Sequence, residues 1–110
     1  MIELAWLYLF IAGLFEVLWA IGLKYSEGFS RLWPSIGTLC AMVLSFFLLA
    51  QALKSLPLGT AYAVWTGIGA IGTVLLGIVL FGESRELSRL FFILLILIGI
   101  VGLKITSTTS

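Results

Sequence analysis

LAWLYLFIAGLFEVLWAIGL, residues 4–23, contains one charged residue, Glu16, and no basic residue. A bilayer core takes about 20 residues of helix, so this run reads as a membrane span. Glu16 lies roughly two residues past its middle, about 4 Å from the midplane at helical rise. Ionised and facing lipid it would cost several kcal/mol, so it must face protein or water, or hold a proton. Ala12, Gly13, Trp19 and Ala20 share its helical neighbourhood. Small residues leave room beside the acid, and Gly13 is expected to form part of a pocket wall. No Lys or Arg stands at comparable depth to pair with Glu16, which favours a cation or proton site over a salt bridge.

The rest of the chain is written in the same alphabet. Of 110 residues, 62% are hydrophobic and 10% charged, where soluble domains carry about 25% charged residues. An ordinary wetted surface is therefore excluded, and membrane lipid is the expected surrounding. A net charge of +1 without a basic patch gives no reason to expect nucleic acid. One cysteine, Cys40, and no histidine exclude internal disulfides and Cys/His metal sites. No nucleophile arrangement, phosphate loop or cofactor motif is present, so neither an enzyme nor a bound cofactor is expected. MIELAW lacks the early positive charge of a signal peptide, and the first span is expected to be retained.

Charges divide the chain into four spans, expected at residues 4–23, 33–53, 58–81 and 87–104, in one transmembrane domain over 1–110. KYSEGFSR closes the first, Lys54 follows the second, and GESRELSR closes the third. The fourth apolar run is short, so Ser88 and Arg89 are expected inside the helix, with Arg89 snorkelling to the headgroups. Pro34 and Pro57 sit where a first helical turn tolerates proline. Trp6 and Trp33 fall near span ends, where the interface favours indole. The expected fold is an all-α membrane protein, a bundle of four transmembrane helices.

The loop charges are nearly balanced. One side carries Lys54 and Lys104, with the terminal amine as a possible addition; the other carries Lys24, Arg31, Arg85 and Arg89. Two readings follow from so weak a bias: a fixed topology with the termini outside, or insertion both ways, which would permit an antiparallel dimer. Four thin helices leave little interior for a solute path, so a transporter of this size should be an oligomer.

Other spans offer polar groups at similar depth. Ser45, near the centre of the second, could donate to the carboxylate or bond its own helix backbone. In GTAYAVWTGIG, residues 59–69, Tyr62 and Trp65 lie on one helical face. Tyr62 could donate to a carboxylate and Trp65 could offer a ring to a cation, or both could be core. Gly67 and Gly69 are open to two uses, close packing or a hinge. The fourth span has no central polar residue and is expected to serve lipid contact and helix pairing.

FEVLWAIGLKYSEGFSRLWPS, SFFLLAQALKSLPLGTAYAVWTGIG and GIVGLK carry a resemblance over essentially the whole chain. With its central acid, its SxGFxRLxPS loop and its PxGxAYAxWxGxG helix, the sequence resembles the small multidrug resistance family of bacterial transporters. Trp19 three residues after Glu16, and Gly102-Leu103-Lys104, resemble the guanidinium-exporting subtype. The resemblance implies an antiparallel, dual-topology homodimer in the bacterial inner membrane that exchanges guanidinium for protons by alternating access. It implies that Glu16 takes proton or substrate, that Trp19 and Ser45 hydrogen-bond and orient it, and that Tyr62 couples the two subunits' sites, beside Trp65. It assigns Gly67 and Gly69 to a third-helix kink that swaps between subunits. The chemistry agrees, for a carboxylate takes the planar guanidinium fork bidentately. If the dimer changes face only with its acids occupied, proton entry drives guanidinium exit. The alternatives are a broad exporter of quaternary-ammonium and aromatic cations with a looser pocket, and a non-transporting subunit whose glutamate only carries protons.

Overall fold

The computed structural model describes residues 2–107. Four helices follow one another, α1 (Ile2–Ser26), α2 (Leu32–Ala52), α3 (Leu58–Phe81) and α4 (Leu87–Ser107). Each is long and apolar enough to cross a membrane.

The helix ends follow from local chemistry. α1 outruns its apolar stretch because Lys24 and Tyr25 can keep apolar parts packed while their polar tips reach past the hydrocarbon. Both pack on Phe81, the Tyr25 ring at 5.2 Å between centroids and the Lys24 ammonium 5.1 Å from the ring centre. Ser26 then closes the helix: its hydroxyl donates to the Leu23 carbonyl at 2.8 Å and accepts the Phe29 N–H at 3.1 Å. Glu27, Gly28 and Phe29 turn the chain with φ of 51°, 75° and 67°. Glycine takes this conformation freely, whereas Glu27 and Phe29 are strained by about 1–2 kcal/mol each, which the Ser26 bonds offset. Gly82, at φ 65°, ends α3 the same way. Beyond it Arg89 donates to Glu83 at 3.0 Å and to the Ser84 carbonyl at 2.9 Å, tying the loop to the first turn of α4. Arg89 is thus helical and held by an acid.

α1 is the central helix, packed along α2 on one side and α3 on the other; α4 packs on α3, and α2 scarcely meets α3. The order across the molecule is α2–α1–α3–α4. Its extents, 45 × 34 × 16 Å, describe a slab. The four expected helices are all present, lying largely side by side rather than closing on one another. In lipid no hydrophobic force compels apolar faces to cover one another, and shape complementarity decides which do.

That complementarity comes from small residues. Ala5, Leu9 and Ala12 of α1 meet Ala61, Val64 and Trp65 of α3 in the core. Gly13 lies under Ile68 and Gly72 under Val17, so tightly that a methyl on either glycine would stand 2.5 Å from the facing Cγ2. These interlocks bring the α1 and α3 backbones together around Glu16.

Candidate cation site

α1 presents Glu16 half-buried toward α3, where the carboxylate rests against Gly69. Its Oε1 is shielded from solvent and has no hydrogen-bond partner among the described residues. The Trp19 indole N–H, one turn later, is likewise buried and unpartnered. A donor and an acceptor therefore stand three residues apart without bonding to each other.

Beside them runs a relay across three helices. The indole N–H of Trp65, a residue 6% exposed, donates to Ser45 Oγ at 2.9 Å. Ser45 donates in turn to the Ala12 carbonyl at 2.7 Å. That carbonyl is the one that accepts the Glu16 amide in an α-helix, so the relay ends one turn before the acid. It fixes the backbone from which the Glu16 side chain springs.

A row of rings flanks the relay. Trp19 and Phe46 lie 6.4 Å apart, Phe46 and Trp65 5.5 Å, and Trp65 and Tyr62 5.7 Å, all tilted. Ring faces can attract a cation. Tyr62 is 56% exposed, on an open side of the slab.

Trp19, Tyr62 and Trp65 are joined through Phe46 by ring contacts and Ser45 bonds Trp65, but the bonds expected of them with Glu16 are not made. Ser45 serves the Ala12 carbonyl and Trp65 rather than the carboxylate, because it faces α1 one turn away from Glu16. Trp19 does not donate to Glu16, and Tyr62 packs on Trp65. Gly13, expected in a pocket wall, is buried under Ile68 and is a packing position in this structure. α3 runs unbroken through Gly67 and Gly69. Gly67 there faces Ile100 and Ile96 of α4, with the Ile100 Cδ1 2.7 Å from where its β-carbon would be.

Sequence reading missed Phe46 and the Ala12 carbonyl. Phe46 is one apolar residue among many in α2, and only its place between Trp19 and Trp65 marks it. The Ala12 carbonyl has no sequence signal, since every residue carries one. Among the described residues no group of acids, Cys or His could hold a metal ion. A 630 Å³ cavity between α1 and α2, lined by Phe15, Leu18, Thr38 and Ala41 among others, is nearly all apolar and suits hydrocarbon better than a cation.

A model of the Small Multidrug Resistance protein family matches residues 4–96. The chain is 69% identical over 104 residues to the Guanidinium exporter of Yersinia pseudotuberculosis, covering 94% of this chain and 100% of that one. It is 60% identical over 104 residues to the Guanidinium exporter of Escherichia coli K12, covering 94% and 99%. To the Guanidinium exporter of Proteus vulgaris it is 55% identical over 104 residues, covering 94% and 100%. With a match over most of its length and relatives of this identity, the chain belongs to the small multidrug resistance family.

Proposed function

We propose that this multi-pass inner-membrane protein exports guanidinium in exchange for protons, with Glu16 holding one or the other in turn. One observation carries this reading: a carboxylate on a central helix with one oxygen shielded from solvent and without a hydrogen-bond partner among the described residues. All six basic residues of the sequence lie at or beyond helix ends, so none neutralises it. A charge left so is costly, and a proton or a desolvated cation removes the cost.

Guanidinium suits the place. Its planar fork can bond both carboxylate oxygens, while the faces of Trp19, Phe46 and Trp65 offer a π surface. The relatives named as guanidinium exporters support the same substrate, and an exporter, not an enzyme, is the class they share.

The working unit is an antiparallel homodimer of dual topology. Support comes from the slab, whose single layer cannot enclose a solute, and from the near balance of loop charges. A second copy laid on the open side bearing Tyr62 would enclose the two acids, and Tyr62 would then couple them. Exchange between faces would bend α3 at Gly67 and Gly69, where the missing side chains lower resistance to bending.

The test is transport in proteoliposomes. An inward-directed guanidinium gradient should drive proton efflux, and a proton gradient should drive guanidinium the opposite way. Glu16→Gln should abolish both while the dimer still assembles, because the amide can neither balance a cation nor release a proton. Robust exchange by that variant would remove Glu16 from the mechanism. Preference for large aromatic cations over guanidinium would favour a multidrug exporter instead.

A further inference from the structure

The face on which the Glu16 carboxylate rests has a feature that packing alone does not require. A β-carbon built on Gly69 would overlap the acid itself: its nearest neighbours are Glu16 Oε1, Cδ and, at 2.8 Å, Cγ. The other glycines of the α1–α3–α4 contact meet hydrocarbon instead, Gly13 meeting Ile68, Gly67 meeting Ile100 and Gly72 meeting Val17. Gly69 is buried, and α3 is continuously helical there. In this conformation its lack of a side chain leaves volume for one carboxylate.

We propose that Gly69 is a positioning residue, whose bare backbone forms a cradle holding the Glu16 carboxylate flat against the shaft of α3. This rests on the export reading above and gives Gly69 a task separate from any bending of the helix. Backbone N–H groups in mid-helix are already bonded within the helix, so the cradle supplies shape and no donor. One face of the carboxylate is walled off, and its plane is fixed by contact. A guanidinium fork needs the carboxylate plane aligned with its own, whereas a proton needs one oxygen in any orientation. The cradle therefore favours guanidinium over proton, and its loss should harm the two unequally.

The experiment is a titration of the purified, dimeric protein with guanidinium chloride, with NMR to follow Glu16 protonation and the rate of exchange between faces. Gly69→Ala should weaken guanidinium binding by about tenfold to hundredfold, the size of one lost hydrogen bond between charged groups. Glu16 should still gain and lose its proton in the same sample. Gly59→Ala, which adds a methyl to the first turn of the same helix with nothing within 4 Å, should lose much less affinity. If Gly69→Ala binds guanidinium like the parent and only exchanges more slowly, glycine there serves bending and the cradle is refuted. Equal weakening in Gly59→Ala refutes it too. Should Gly69→Ala fail to fold, adding Glu16→Ala should restore folding, because the new methyl then enters vacated space; a double variant that stays unfolded refutes the proposal. Glu16→Gln belongs in the same series. Unchanged affinity there overturns the export reading, whereas lost affinity there beside parental affinity in Gly69→Ala overturns the cradle alone.

Discussion

Replacing Ser45 by alanine tests the relay that ends beside Glu16. Ser45 is completely buried, receives the Trp65 indole N–H and donates to the Ala12 carbonyl. Hydrogen bonds between membrane helices average about 0.6 kcal/mol, so losing two predicts a little over ~1 kcal/mol. An orphaned buried donor costs more, about 1–3 kcal/mol. Exposure decides between these figures. Trp65 is 6% exposed, so its N–H reaches water only if the α1–α2–α3 contact opens. The Ala12 carbonyl loses less, since it keeps the Glu16 amide. We expect Ser45→Ala to destabilise the protein by about 2–3 kcal/mol, near the top of the range. Trp65→Phe removes the donor as well, and in the Ser45→Ala background should cost less than it does alone. The assay is a double-mutant cycle on unfolding in mixed micelles, followed by circular dichroism. A coupling energy of about 1–2 kcal/mol is expected, well above the ~0.3–0.5 kcal/mol scatter of independent sites. Coupling within that scatter would mean that the relay contributes nothing to stability, and that Ser45 is free to serve another partner.

Trp19→Gly removes the unpartnered indole donor and part of the ring row beside Glu16. Guanidinium should bind more weakly by roughly 1–3 kcal/mol if its bound state recruits that donor, while bulky phosphonium cations gain relative to it in competition binding; unchanged selectivity would make Trp19 mere packing. Guanidinium stays charged at all working pH, so only the acid titrates in their competition: apparent affinity should fall by up to about tenfold per unit as pH drops into the range where Glu16 is protonated, and level off above it. A pH-independent affinity would show that proton and guanidinium do not share a site. Cysteines placed in the 27–31 loop, in a Cys40→Ser background, should be labelled from both faces of the membrane; labelling from one face alone rules out dual topology.

The spans, the lone acid and the company it keeps were all legible in the residues. Whether a segment crosses a membrane depends on its own composition and length, and Glu16 announces itself because an unpaired charge in hydrocarbon is costly wherever the helix lies. Trp19, Ser45, Tyr62 and Trp65 stand out in the sequence as polar or aromatic groups at similar depth, and resemblance adds their roles. Ring contacts and a hydrogen bond link them through Phe46. What no span could declare was which face meets which neighbour. Helices apolar on nearly every side carry no stripe to point at a partner, and contacts in lipid are chosen by fit. The order α2–α1–α3–α4, the turn of Ser45 toward Ala12 instead of Glu16, and the place of Phe46 between two tryptophans therefore belong to the tertiary structure. So does the contact of Gly69 with the carboxylate, since a glycine's meaning lies in whatever fills the space it leaves.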